Sequence, residues 1–457
     1  MSAAVLAQPR GLDLTIAATS LGFMLVQLDV SILNVGLAPI GEAVGTGVTG
    51  LQWVVDSYTV AFASLLLAAG ALGDRIGARR AYIGGFALFV LASLGCGLAP
   101  GVAVLIAARA IQGVGAALLV PCSLTLLVHA CGNDAAARGR AISLWTAAAS
   151  LALSAGPVLG GILIDTLGWR SIFFINVPIG VAGIWLTRRV VAETPPTGSG
   201  FDPVGQVLAL LTLVSLTGAV IEGGRLGFTA PLVSSGLGVA VICGIAFVTV
   251  EARGADPMLP LGFFRDPTFS AATLVGFVIN LTLYGAIFVL GLYLQQIRGY
   301  SPMAAGLAFL PLPIALGLAN LAAGPIGRWL GLRLPMALGL LFGGVGFWLL
   351  RYLDSTTPYA SMLPGLVMIP AGLGLAVPLM TTALLSTVPR SRSGVASGVL
   401  NTVRQAAGGI GVALFGALMA DHGMLGIQSV FLMSAVLLSC GAVAAGIGVR
   451  PPLRQST

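Results

Sequence analysis

Apolar runs of about 18 or more residues recur along this chain from end to end, separated only by short gaps. Each is long enough to cross about 30 Å of hydrocarbon as a helix, and within a bilayer only helices and closed barrels satisfy every backbone polar group. A barrel would show short segments of alternating polarity, and none is present. Only 8% of the 457 residues are charged. A soluble domain carries about 25%, so no aqueous surface can be built from them. The expected fold class is an all-α polytopic membrane protein.

Hydropathy sets about fourteen spans. They fall near 14–37, 51–71, 81–98, 102–126, 140–163 and 171–187, then 204–222 and 232–250. The last six fall near 270–294, 303–325, 335–350, 359–380, 394–419 and 428–448. The polar linker RRVVAETPPTGSGFDP, over 188–203, is expected to act as a hinge between halves. Residues 1–190 would then form an N-terminal six-helix bundle, 191–262 a linker and an extra helix pair, and 263–457 a C-terminal six-helix bundle. An internal repeat supports this division. GALGDRIGAR (Gly70 to Arg79) follows the second span and GPIGRWLGLR (Gly324 to Arg333) the tenth, while Gly113 and Gly115 have counterparts in Gly372 and Gly374. Repeated halves flanking an inserted pair give a 6+2+6 layout, and such repeats are a hallmark of secondary transporters.

The net charge of +7 comes from arginine alone, without lysine. With a cytoplasmic N-terminus, sixteen of the 22 arginines lie in cytoplasmic segments and four (Arg170, Arg225, Arg298, Arg351) outside; Arg109 and Arg404 fall within spans. This bias is the signature of loop anchors, not of a nucleic-acid-binding face, and it sets both termini in the cytoplasm. The five cysteines have no metal-ligand spacing, and His129 and His422 fall in loops with no partner, so neither a metal nor another cofactor is expected. The N-terminal segment lacks a cleavable-signal pattern. No His dyad or Ser/His set recurs at one depth, so an enzyme is not expected.

Two intramembrane acids stand out. Asp29 lies in the middle of LGFMLVQLDVSILNVGLAPI, where a charge costs about 2.5–3.5 kcal/mol even on the mild insertion scale, and Asp56 lies near the start of the second span. A membrane arginine needs an acceptor, and these two carboxylates are the supply for Arg109. Arg109, Gln112, Gly113 and Ala116 share one helix face at i, i+3, i+4 and i+7. Glu222 is expected to pair with Arg225 at an interface, and Asp165 with Arg170 in the same way.

Several segments resemble the major facilitator superfamily. Gly70-Ala-Leu-Gly-Asp74-Arg75-Ile-Gly77-Ala-Arg79-Arg80 is similar to its loop signature, where Asp74 and the arginines would pair with one another and with a neighbouring helix end as a latch between transport states. Arg109 to Ala116 is similar to its fourth-span motif, which implies a part for Arg109 in proton exchange. Ser154-Ala-Gly156-Pro157-Val-Leu-Gly160-Gly161 resembles its antiporter motif, with Gly156 and Gly160 forming a close-packing GxxxG face. LDVSILNVGLAPI, LQWVVDSYTVA, WRSIFFINVPIG, YLQQIRGYSPMAAGLAFLP and NTVRQAAGGIGVA are similar, in order and spacing, to segments of the 14-helix drug:proton antiporters.

That resemblance implies a major facilitator fold and proton-coupled efflux of drugs or antibiotics across the cytoplasmic membrane. Protons would be the coupling ion, no other cofactor being needed, and the protein would work as a monomer in the lipid bilayer. Asp29, Asp56 and Arg109 would couple protons. Asp29, Asp56, Asn34, Tyr58, Gln112, Asn280 and Tyr284 are candidates for the drug pocket. Relatives that export dications carry extra acids in spans 10 and 13. Here span 10 has none and span 13 offers Asn401, Arg404 and Gln405, so monovalent cations, zwitterions or neutral compounds are expected. The alternative is the same machine dedicated to one endogenous natural product.

Overall fold

The computed structural model describes residues 9–132, 134–195, 202–254, 257–389 and 392–450, with the side chains of 9–11, 135 and 136 left out. Thirteen helices long and apolar enough to cross a membrane run through these residues. We number them α1 (Pro9–Val44), α2 (Val48–Ile76), α3 (Ala78–Gly97), α4 (Val102–Ala130), α5 (Ala135–Leu167) and α6 (Ser171–Val190). Then come α7 (Pro203–Leu226), α8 (Pro231–Arg253), α9 (Pro267–Ile297), α10 (Pro302–Leu330), α11 (Arg333–Leu350), α12 (Tyr359–Ser386) and α13 (Ser393–Gly448). Several begin with proline at the first helical position, where its missing N–H is no loss. In front of three of these stand capping side chains: Asp202 accepts from Gly205 N, Asp266 from Thr268 N and Phe269 N, and Ser301 from Ala304 N.

The expected fourteen spans become thirteen by this count because α13 runs through 56 residues. It is not one straight rod. Gly423 has φ 53° and ψ −122°, which breaks the helix, and a Cβ at Gly426 would lie 3.0 Å from Met419 Cα, so the chain has doubled back. Its two arms, 393–422 and 424–448, are therefore separate helical segments joined at Gly423. Two other spans are also irregular: α9 ends in a π-helical turn over Tyr293–Ile297, and α10 is interrupted at Phe309 and Leu310.

Packing within each half follows the repeat. Gly73 of α2 lies against Cys122 of α4, and its counterpart Gly327 of α10 against Leu379 of α12. The α2–α3 and α10–α11 turns both pivot on a left-handed glycine, Gly77 at φ 97° and Gly331 at φ 75°. The second glycine pair is less regular. Gly113 meets α2 and Gly115 meets α3, whereas Gly372 meets α11 and Gly374 meets α10, so the equivalent helices are touched in swapped order. Helix α7 packs on α2 and α13, while α8 rests chiefly on α7 and has only 11% of its apolar window buried. This inserted pair is thus on the outside of the bundle.

The two halves meet most closely at the end that carries the Gly45 and Gly168 turns, opposite the Gly77 loop. There a Cβ at Gly161 of α5 would sit 2.6 Å from Met303 Cα of α10, and one at Gly291 of α9 would sit 3.1 Å from the Asn34 carbonyl of α1. Gly306 of α10 presses on the Pro157 carbonyl in the same way. Gln52 Nε2 of α2 donates to the Ala413 carbonyl of α13 at 2.6 Å and to that of Val412 at 3.3 Å. One core cluster runs through both halves at this end, joining Ile32, Leu37, Leu51 and Val54 to Phe288, Leu292 and Phe309. Toward the Gly77 end the core around Tyr82, Phe86 and Leu66 belongs to the N-terminal half alone. The bundle is closed at the Gly45 end.

Candidate functional site: a buried ion pair and an unpaired acid

Asp29 is 1% exposed in the middle of α1, and three side chains of other helices donate to it. Arg109 Nη1 of α4 reaches Asp29 Oδ2 at 2.6 Å. Gln112 Nε2, one turn further along α4, donates to Oδ1 at 2.9 Å, as does Asn176 Nδ2 of α6 at the same distance. The i, i+3 spacing brings Arg109 and Gln112 to one point, and Arg109 Nη1 also donates to Gln112 Oε1 at 2.6 Å. Ser93 Oγ of α3 accepts from Gln112 at 2.8 Å and from Asn176 at 3.4 Å. Arg109 Nε donates to the Val54 carbonyl of α2, and the guanidinium lies over the Tyr58 ring, 4.3 Å from its centroid. Five helices of the N-terminal half are thereby tied to one carboxylate.

The arrangement suits a charged Asp29. A buried ion pair is sustained only when good geometry and further hydrogen bonds offset the desolvation of both groups, and here both conditions hold. Asn176 and Ser93 were not among the expected site residues. Each is a lone polar side chain in an apolar span, and in hydrocarbon such a group needs a partner just as a charge does.

Asp56 is placed elsewhere. It is fully buried in α2, but neither carboxyl oxygen has a hydrogen-bond partner among the described residues. It does not join Asp29 in accepting from Arg109, as the sequence led us to expect; it faces α13, where a Cβ at Gly409 would lie 3.5 Å from Asp56 Oδ1. The neighbouring Ser57 and Tyr58 hydroxyls are likewise buried without a hydrogen-bond partner among the described residues.

Among the weaker candidates, Asn34 and Asn280 turn back onto the Val30 and Gly276 carbonyls of their own helices. Tyr284 of α9 packs on Gly408 of α13. Across the seam it lies within electrostatic reach of Tyr58, which in turn senses Asp29 and Arg109.

The glycines of the antiporter-like segment have two uses. Gly156 and Gly160 seat α5 on Ser31 and Ile32 of α1, directly beside Asp29 in sequence, whereas Pro157 and Gly161 make the contacts with α10 that close the Gly45 end. Gly70 lies against Pro121 of α4. In the Gly77 loop, Arg79 Nη2 donates to the Arg188 carbonyl at the end of α6, and Arg79 N donates to Glu193 Oε1. Arg80 lies 3.8 Å from Glu193, and Ala78 N donates to Thr194 Oγ1. Asp74 has no ion-pair partner among the described residues, and Arg75 is exposed, so the acid that the arginines of this loop contact is Glu193 and not Asp74 as expected. The start of the expected hinge is correspondingly docked, and 196–201 lie outside the described residues.

Three smaller expectations resolve as follows. Glu222 pairs with Arg225 at 2.8 Å and also accepts from Trp53 Nε1 of α2 at 3.4 Å. Arg170 does not pair with Asp165; it stacks on Trp169 and donates to the Ala99 carbonyl. His129 ends α4 and His422 sits in α13 against Asp421, so neither lies in a loop.

Comparison with known proteins gives a consistent result. Residues 19–412 match the family model described as Major Facilitator Superfamily. The chain is similar to the methylenomycin A resistance protein of Streptomyces coelicolor, 38% identical over 91% of this chain and 88% of the relative. It is similar to the drug efflux pump JefA of Mycobacterium tuberculosis, 37% identical over 89% and 80%. In fold it resembles a POT family transporter solved with a thioalcohol-conjugated peptide, with a TM-score of 0.72, 14% identity and 96% of each chain covered.

Proposed function

The chain belongs to the major facilitator superfamily, and from that premise we propose that it is a transporter, not an enzyme, which exports drugs or antibiotics in exchange for protons. Efflux is supported by the relatives, whose names are those of drug-efflux and antibiotic-resistance proteins. Proton coupling rests on one observation above all: two buried acids of the N-terminal half stand in opposite environments. Asp29 has three donors, one of which is its counter-ion Arg109. Asp56 has neither. Burying a carboxylate with no partner costs several kcal/mol, so the neutral, proton-carrying acid is the form the packing around Asp56 accommodates. One acid is then held charged and the other neutral in a single state.

The mechanism follows from those environments. By the arginine bias, both termini and the Gly77 loop face the cytoplasm of a cell with its protein in the cytoplasmic membrane, and the closed Gly45 end faces outward. Opening that end requires the α5–α10 and α2–α13 contacts to part, which brings outside water toward Asp56 and Asp29. Protonation of Asp29 would remove the charge that holds Arg109 and loosen the five-helix knot. Closing the outer end and releasing the proton inward would restore the ion pair. Each proton moving down the membrane potential supplies about 2.3 kcal/mol per 100 mV. The protein works as a monomer in the bilayer, with no cofactor beyond the proton.

The test is drug-dependent proton movement. Purified protein in proteoliposomes containing a pH dye should release lumenal protons when at least one drug from a panel of cationic, neutral and anionic probes, ethidium among them, is added to the side that faces the cytoplasm in cells. Proton release with empty liposomes of equal size, or none with the protein for any probe of the panel, would refute the reading.

A further inference from the structure

Arg404 is the second arginine within a span, and the coupling network leaves it unused. It lies in the first arm of α13, among the residues that face α9: a Cβ at Gly276 would meet Leu400 and, at 3.3 Å, the Arg404 Cγ, while Gly408 packs on Tyr284. Arg404 Nε is closed off without a hydrogen-bond partner, and the side chain makes no ion pair with any described residue. Its nearest electrostatic neighbour is the Tyr284 phenol, which also has no hydrogen bond among the described residues. The sequence explains the lack of a counter-ion: between 267 and 420 there is one acid, Asp354, and it lies in the turn between α11 and α12. An arginine held at membrane depth without a partner is costly, and such residues mark sites for ligands or ions.

The position of the pair matters as much as its charge. Tyr284 is within electrostatic reach of Tyr58, whose ring covers Arg109. Arg404 and Tyr284 therefore face the seam between the halves, where the proposed alternating access would place the cargo. On the opposite wall the charge of Asp29 is already matched by Arg109, and Asp56 is turned toward Gly409, away from the α9-facing side of α13. Among the described residues, Arg404 is thus the arginine within a span that has no counter-ion. A guanidinium and a phenol hydroxyl are both donors, and planar guanidinium matches carboxylate geometry.

We propose that Arg404, assisted by Tyr284, recognises the carboxylate of an amphipathic organic acid, so that the preferred cargo is anionic. This rests on the efflux reading above and reverses the expectation of cationic or neutral drugs. An anion leaving a cell with a negative interior is also driven outward by the membrane potential.

Three probes with one ring system separate charge from shape: 1-pyrenecarboxylate, 1-pyrenecarboxamide and 1-pyrenemethylammonium. Binding to the purified full-length protein in detergent should favour the carboxylate over the ammonium by about tenfold or more. Arg404→Gln should weaken the carboxylate about tenfold and leave the amide within about twofold, while Arg404→Lys retains most of the preference. Tyr284→Phe should weaken the carboxylate about threefold and serves as the milder variant if Arg404→Gln fails to fold. A wild type that binds carboxylate no better than ammonium would overturn the proposal. So would equal loss of acid and amide in both variants, as expected if Arg404 served only packing or an ion pair in another state. Binding order does not depend on coupling. Failure of all three probes to be exported under an imposed pH gradient, with the order intact, would count against the efflux reading instead.

Discussion

Removing the charge of Asp29 should cost more than removing the whole ion pair. The Asp29 carboxylate accepts from Arg109 at 2.6 Å and from Gln112 and Asn176 at 2.9 Å each, and both charged side chains are 1% exposed. Asp29→Asn leaves a guanidinium sealed among Tyr58, Phe173 and the Val54 carbonyl with no counter-ion. Breaking a buried pair from one side costs about 3–5 kcal/mol. Arg109→Gln should cost a similar amount by stranding the carboxylate. The double variant Asp29→Asn/Arg109→Gln keeps amides that can hydrogen-bond to each other and to Gln112, and should cost less than either single, leaving a coupling energy of at least about 3 kcal/mol. Reversible unfolding in mixed detergent micelles measures all three. A loss of 3 kcal/mol lowers the folded-to-unfolded ratio by about 150-fold, well above the error of the method. Single variants that each cost less than about 1 kcal/mol, or losses that add to within about 0.5 kcal/mol, would refute the view that Asp29 and Arg109 act as one unit.

Closure and topology can be probed separately. Gly161→Leu places a side chain where a Cβ alone would be 2.6 Å from Met303 Cα, so it should hold the Gly45 end open; spin labels at exposed Leu167 and Tyr352 should then show longer distances than in the parent protein. Gly77→Ala forces a side chain onto φ 97° and to within 2.6 Å of Glu193 Oε1, and should lower stability by about 1–2 kcal/mol, seen as a reduced Tm. A reporter that fluoresces only in the cytoplasm, fused after Arg450, should be bright; a dark fusion with normal expression would reverse the assigned orientation.

Membrane class, span order and the Asp29–Arg109 pair were all legible in the residues, because long apolar runs interrupted by single charges admit few arrangements. Less legible was anything decided by which face a helix turns. Asp56 and Arg109 appear equally suited to pair when written out, yet α2 turns Asp56 toward Gly409 and gives Arg109 only the Val54 carbonyl. Asn176 lies within the quoted hairpin WRSIFFINVPIG, and its bond to Asp29 depends on how α6 docks on α1 and α3. Glu193 sits in a Pro/Gly/Ser-containing stretch that reads as a free linker, but its carboxylate accepts from the backbone of the Gly77 loop, leaving Asp74 outside the ion-pair network of the described residues. Two spans near 394–419 and 428–448 were legible as well, and Gly423 breaks the long helix α13 between them, although the 56-residue helix counts as one of thirteen.

Coupling of drug export to protons through the N-terminal acids is tested most directly by ΔpH-driven transport in proteoliposomes. Wild type should accumulate the probe drug in proportion to an imposed proton gradient and lose that accumulation when the gradient is collapsed. Asp29→Asn and Asp56→Asn should each still equilibrate the drug but no longer concentrate it. If either neutral variant accumulates drug with undiminished dependence on ΔpH, the coupling role given to that acid is wrong.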